Sequence, residues 1–506
     1  MFYSLIMSPN TDNRKWFVLV AASLGTFLGT VMATSVNVAL PSLVSALGTE
    51  FATVQWVVLS FLLTNAVLLP IVGRLADMFG KKSLFIAGYV IFTFGSLLCG
   101  LSQGIFWLIS FRVVQGVGAA LLTALGLAIV TDVFPDNERG KALGITGSVL
   151  SSGIVIGPTL GGFLVDAFSW HWVFFVGVPI GVVGTLLALR FVPAYEPEGG
   201  QHFDLPGAAA LFSCLLALLL ALTLGQQRGF GGALILGLFA SSAFLLGFFC
   251  WLELRARDPV IDLRLFKNAD LSIGLVTGFA TFVSIAGTIF LMPFYLENIL
   301  GYSPKNVGLL MAIVPVVLVF IAPVAGSLSD RFGARPITVI GLALVLTGYL
   351  AVGTLDEETS ALEYVLLFLP IGLGMGVFQS PNNSAIMGSV PREKSGVAGG
   401  LLSETRALGQ TSGIAILGTL WATRVAARAP GQVGGDATNA PVEAQIGGLH
   451  DMLSSIQVMI ALALMLCVWD LFRRRKEKGE DDVSRERSEG KSDKGTSGAE
   501  VAAAKR

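Results

Sequence analysis

The chain has 506 residues, of which 54% are hydrophobic and 13% charged, about half the charged share of an ordinary soluble domain. Its formal net charge of −1 excludes the basic footprint of a nucleic-acid-binding protein. Cys99, Cys214, Cys250 and Cys467 lie far apart inside apolar blocks, which excludes a disulfide framework or a cysteine metal site.

A bilayer core about 30 Å thick needs roughly 20 apolar residues per spanning helix, because each backbone group must be satisfied within the segment. Blocks that meet this requirement predict helices over residues 16–40, 54–73, 82–101, 105–131, 142–165, 171–191, 206–226, 232–252, 271–296, 305–327, 336–354, 362–388, 396–423 and 452–471, fourteen in all. The first is too long for a signal-peptide core and no small-residue cleavage pattern follows it, so it is expected to remain attached. With both termini cytoplasmic, the inner loops take Arg74, Lys81, Lys82, Arg139, Lys141, Arg190, Arg255, Arg257, Arg264, Lys267, Arg331, Arg335, Arg392 and Lys394. The outer loops then carry Arg228, Lys305, Arg424 and Arg428, so positive charge favours this orientation in the cell membrane. Two segments are expected outside the bundle: an outer loop from about Arg424 to His450, and a disordered cytoplasmic tail over 472–506. The basic start of that tail, Arg473-Arg474-Arg475-Lys476, is expected to meet anionic headgroups.

An internal repeat gives the architecture. Gly73-Arg74-Leu75-Ala76-Asp77-Met78-Phe79-Gly80-Lys81-Lys82 recurs as Gly326-Ser327-Leu328-Ser329-Asp330-Arg331-Phe332-Gly333-Ala334-Arg335. Gly, Leu, Asp, Phe, Gly and a final base match in register, so two similar halves follow. Eight predicted helices separate the two loops where two directly joined six-helix halves would give six. The division is therefore a six-helix bundle over 1–192, an inserted helix pair with its linker over 193–268, and a second six-helix bundle over 269–471. An even insertion keeps the halves parallel, with the pathway at their interface. Gly80-Lys81-Lys82 is not a phosphate loop, since its spacing from Gly73 is wrong and no Ser or Thr follows; neither ATP nor another cofactor is implied.

These residues resemble the major facilitator superfamily, in its fourteen-helix drug:proton antiporter branch. Residues 108–120, LISFRVVQGVGAA, look like that family's helix-4 motif, and 153–162, GIVIGPTLGG, like its antiporter motif. Asn37 to Pro41, Trp170-His171-Trp172 and Leu300 to Pro304 match further family positions. The resemblance implies an all-α membrane fold, export of amphiphilic small molecules and proton antiport by alternating access. One position departs: Met32 stands where the family places an Asp in helix 1, which puts the usual coupling in doubt.

An intramembrane ion costs about 2.5–3.5 kcal/mol on insertion scales, so it marks a functional candidate. Arg112, one turn before Gln115, either braces carbonyls or faces the cavity. Glu404 and Arg406, two residues apart, either line the cavity or brace a helix end. With Asp77 and Arg112 they are the proton-coupling candidates. Met32, Asn37, Asn65, Arg112, Gln115, Gln379, Asn382 and Asn383 are the expected cavity residues. Asp77, Lys81 and Asp132 form an expected gate, together with Gly73, Gly80, Gly326, Asp330 and Gly333; Asp77 is placed to cap the helix beginning near Gly396. The resemblance implies that this latch holds the outward-facing state. Gly153, Gly157, Gly161 and Gly162 are expected on one helix face, and Pro158 removes one internal hydrogen bond. The expected partners are the lipid bilayer, protons and the amphiphilic solute, with the chain a monomer. Export of an endogenous lipid, glycolipid or metabolite is an alternative, as is a membrane-embedded enzyme or sensor on the same scaffold.

Overall fold

A computed structural model of the chain describes residues 11–194, 205–255, 263–390, 395–430 and 436–503. Among these residues there is no strand. The long helices, in chain order, are α1 Thr11–Leu47, α2 Phe51–Phe79, α3 Lys81–Gly100, α4 Ile105–Val133, α5 Asp136–Ala167, α6 His171–Phe191, α7 Leu205–Arg228 and α8 Ala233–Arg255. There follow α9 Ala269–Phe294, α10 Pro304–Phe332, α11 Ala334–Val352, α12 Ala361–Gly388, α13 Ser395–Arg428 and α14 Val442–Ala503. Thirteen of them are long and apolar enough to cross a bilayer by length and hydropathy alone. The fourteenth, α13, is 34 residues long, but its small residues are interrupted by Glu404 and Arg406.

Several boundaries differ from the sequence expectation, each for a local reason. α1 does not end at Pro41 but continues to Leu47; the proline frees one carbonyl, and later residues restore the ladder. α6 breaks at Val176 and α10 at Ala312. Each break lies three residues before a proline, Pro179 and Pro315, whose missing N–H and ring prevent a bond to the carbonyl before the break. The outer loop expected over 424–450 is short, since α13 reaches Arg428 and α14 starts at Val442, leaving the 3₁₀ turn Ala437–Asn439 between them. His450 accordingly lies in α14, with its Nε2 2.7 Å from the Leu355 carbonyl. α14 continues helical to Ala503, through most of the expected disordered tail; Lys, Glu and Arg, all good helix formers, recur along that stretch.

Both copies of the loop repeat form the same corner. A single residue joins α2 to α3 and another joins α10 to α11, Gly80 at φ 85° and Gly333 at φ 88°. A side chain at either position would be strained, which is why each copy carries glycine there. The end of the molecule bearing these corners is here the motif end, and the other the far end.

α1–α6 pack as one bundle and α9–α14 as the second, while α7 and α8 pair with each other; α7 rests on both α2 and α13. The apolar core is asymmetric. At the far end one continuous cluster joins the halves, including Leu40, Leu43, Phe51 and Val58 from one and Phe290, Phe294, Leu417 and Trp421 from the other. At the motif end the core divides into separate clusters, around Leu19, Val130 and Phe134 in the first half and around Leu271, Ile386 and Leu401 in the second.

Candidate transport pathway

The seam between the halves is built from two helix crossings. In the first, α5 uses two faces of its glycine motif. A Cβ at Gly153 would meet Thr30, one at Gly157 would meet Thr34, and one at Gly161 would meet the Ser35 backbone, so this face carries α1. Gly162 does not share that face. It crosses Gly308 of α10, where a Cβ would sit 3.1 Å from the Gly308 Cα, and Gly308 in turn meets the Pro158 carbonyl. The motif therefore lets α5 touch its own half and the opposite half at backbone distance.

The second crossing brings α2 against α13. Phe51, at the start of α2, has ring centroids 4.7 Å from Trp421, 5.2 Å from Phe294 and 5.4 Å from Phe290. Its backbone N–H donates to Asp436 Oδ1 at 3.3 Å, so a carboxylate from the second half caps a helix of the first. Phe51, Gln55 and Asp436 were not expected from sequence; Phe51 reads as one more apolar residue, and Asp436 lies in a Gly- and Ala-rich loop.

At the motif end each half carries its own ion pairs. Lys81 Nζ is 2.6 Å from Asp132 Oδ2, and Lys15 is 2.8 Å from Glu138. Gly73 and the Asp77 side chain lie outside the described residues, so the expected Asp77 cap is not described; Lys81 pairs with Asp132. In the second half Arg335 contacts Asp270 at 2.5 Å and Asp470 at 2.8 Å, and Arg473 contacts Asp470 at 3.0 Å and Asp270 at 3.5 Å. Arg473 thus joins α14 to α9, and Arg335 brings α11 to the same two carboxylates. Asp330 is exposed, and a Cβ at Gly326 would face Ser380 Oγ at 3.1 Å.

Among the described residues Arg112 is the largest fully buried side chain. Its Nε donates to the Val57 carbonyl at 2.8 Å and its Nη1 to Gln115 Oε1 at 2.6 Å, and Gln115 Nε2 passes the chain on to Ser96 Oγ at 2.7 Å. The guanidinium lies 4.1 Å from the Phe61 ring centroid. Its Nη2 is buried without a hydrogen-bond partner, while the bonds of Nε and Nη1 match bracing, the first of the two roles open to it; Arg112 and Gln115 are both at 0% exposure. Met32 is equally closed off, near Ser96 and Gly177 in the core of the first half, so it packs rather than lines a cavity. An ionised carboxylate there would have no water, and methionine fills the space without that penalty.

Asn382 is 4% exposed and donates to the Gly274 carbonyl at 3.1 Å, which ties α12 to α9. Asn37 is also buried; its Nδ2 lies 3.4 Å from the Ala33 carbonyl, and its Oδ1 has no hydrogen-bond partner. Asn65, Gln379 and Asn383 are half-buried. Glu404 stands apart. It is 4% exposed and neither carboxyl oxygen has a hydrogen-bond partner. Arg406, two residues on, leaves its Nε buried and unbonded, and its guanidinium lies 5.3 Å from the Phe282 ring. No metal-binding group of His, Cys, Asp and Glu occurs among the described residues.

The arrangement of two half-bundles with backbone-close crossings has known counterparts. Residues 22–414 match the family model described as Major Facilitator Superfamily. The chain is 36% identical over 410 residues to the riboflavin transporter RibZ of Clostridioides difficile, covering 81% of this chain and 89% of that protein. It is 34% identical over 417 residues to the multidrug resistance protein Stp of Mycobacterium tuberculosis (82% and 78% covered). The tetracenomycin C resistance and export protein of Streptomyces glaucescens is 31% identical over 413 residues (81% and 77%). Among solved structures the fold resembles a bacterial homologue of the human lysosomal transporter Spinster, in an inward-facing and unoccupied conformation, at a TM-score of 0.64 and 17% identity (90% of this chain and 96% of that one). It also resembles the POT family transporter PepTSo, at a TM-score of 0.65 and 14% identity (93% and 99%). The chain belongs to the major facilitator superfamily and is a membrane-spanning transporter, not an enzyme.

Proposed function

We propose that the chain is a secondary exporter of amphiphilic small molecules in the cell membrane, working as a monomer by alternating access in exchange for protons. The observation that carries alternating access is the one-ended seam: the halves share one core at the far end and keep separate cores at the motif end. Two rigid bundles joined at one end can rock to open the other. The positive-inside bias supports a cytoplasmic motif end and cytoplasmic termini, and with them a seam closed on the outer side. Proton exchange is assigned to Glu404. It is a carboxyl enclosed without a hydrogen-bond partner in the helix that crosses α2, and Met32 replaces the acid that helix 1 would otherwise supply.

The relatives named for multidrug resistance and tetracenomycin export support amphiphilic, polycyclic cargo. The relative named a riboflavin transporter supports a second reading, carriage of a planar metabolite. Inverted membrane vesicles separate the two: ethidium, a tetracenomycin-type polycycle and riboflavin are each offered with ATP-independent energisation. Accumulation of the first two supports drug export; accumulation of riboflavin alone supports metabolite carriage. Accumulation of none sinks both.

A further inference from the structure

The inserted helix α7 touches both halves at one level. Gln226, near its last turn, donates from Nε2 to Thr419 Oγ1 of α13 at 2.7 Å and to Gln55 Oε1 of α2 at 3.2 Å. Gln55 is fully buried, and a Cβ at Gly418 would collide with it, so α2 and α13 already meet at this point. Thr419 Oγ1 also lies 3.5 Å from the Leu222 carbonyl of α7. Three residues before Gln226, Thr223 accepts from Trp56 Nε1 at 3.2 Å. One turn before Gln55 on α2 is Phe51, with its aromatic box and its Asp436 cap. One amide thus bonds helices of both halves at the level where the seam is shut, and opening the far end must break one side of that bond.

We propose that α7 is a strap across the outer gate, with Gln226 the residue that holds both halves and sets how often the outer face opens. The role rests on the alternating-access reading above and adds to it a task for the inserted helix pair. Gln55 is fully buried and Gln226 half-buried at this seam, so a lost bond leaves an amide or hydroxyl poorly satisfied, and the closed state is the one that suffers when Gln226 or Thr419 is changed.

The test reads distances in nanodisc-reconstituted protein carrying pairs of nitroxide labels, with the four native cysteines replaced. The outer pair is at Ser45 and Glu357, both exposed on opposite halves, and the inner pair is at Lys141 and Arg331. The strap predicts that Gln226→Leu and Thr419→Val each raise the ratio of long to short outer distances, Gln226→Leu by roughly tenfold. The same variants should shorten the inner distances. Phe212→Ala, at a lipid-exposed position of α7, should leave both unchanged. Thr419→Val conserves volume, so a folding failure of Gln226→Leu still leaves a readable result. Wild-type-like distributions in folded Gln226→Leu and Thr419→Val overturn the strap. Failure of the underlying reading shows instead in the unaltered gate: outer and inner distances that never exchange when substrate and a pH gradient are applied.

Discussion

At the scale of single residues, the membrane interior separates ions that brace from ions that can work. Arg112 has its hydrogen bonds to Val57 and Gln115 and an aromatic face beneath it. Removing it leaves a buried carbonyl and an amide unsatisfied, so Arg112→Ala should lower stability by about 2 kcal/mol or more, seen as a drop in melting temperature of the detergent-solubilised protein. A wild-type melting curve would show that the bonds are dispensable. Glu404 has no such partners, and its substitution has a different expected outcome. Glu404→Gln keeps the shape but cannot exchange a proton, so substrate binding, followed by quenching of ethidium fluorescence, should persist while the response of transport to an imposed pH gradient is lost. A variant that still follows the gradient removes Glu404 from the coupling. Both residues were visible in sequence as intramembrane ions. The bonds that brace Arg112 were not, because they depend on Val57 and Phe61, apolar residues that carry no signal of their own, and on Gln115, which read as a cavity residue.

At the scale of elements, glycine decides where helices meet. Gly162 and Gly308 cross at backbone distance between the halves, and any side chain there must push the helices apart. Gly162→Val should therefore abolish closure at the far end and reduce transport by at least tenfold, measured as flux in vesicles at matched expression. Gly153→Ala, whose Cβ would meet side chains alone, Thr30 at 3.1 Å and Phe27 at 3.5 Å, should retain most of it. Equal loss in both would deny the crossing its special place. The motif was legible as a run of small residues, but its two faces were not, since the sequence alone does not say where the second half lies. The corners at Gly80 and Gly333 were legible because the repeat prints them twice. The breaks at Val176 and Ala312 follow from Pro179 and Pro315, which lie inside apolar blocks that read as unbroken.

At the scale of the whole molecule, two halves and an inserted pair could be read from loop spacing, and from hydropathy fourteen spans, of which thirteen are long and apolar enough to cross a bilayer. The state of the seam could not, because it is a matter of which apolar surfaces share one core, and apolar residues look alike along a chain. The ionic cluster of Asp270, Arg335, Asp470 and Arg473 was hidden because Asp270 lies 65 residues from Arg335 and 203 from Arg473 along the chain. Alternating access in exchange for protons, as proposed, makes one direct demand: cargo must move against protons through a seam that opens at alternate ends. Transport of ethidium into inverted vesicles under an imposed pH gradient, interior acidic, measures it most directly. The account predicts accumulation that collapses when a protonophore dissipates the gradient; accumulation that is equal with and without the gradient would contradict it.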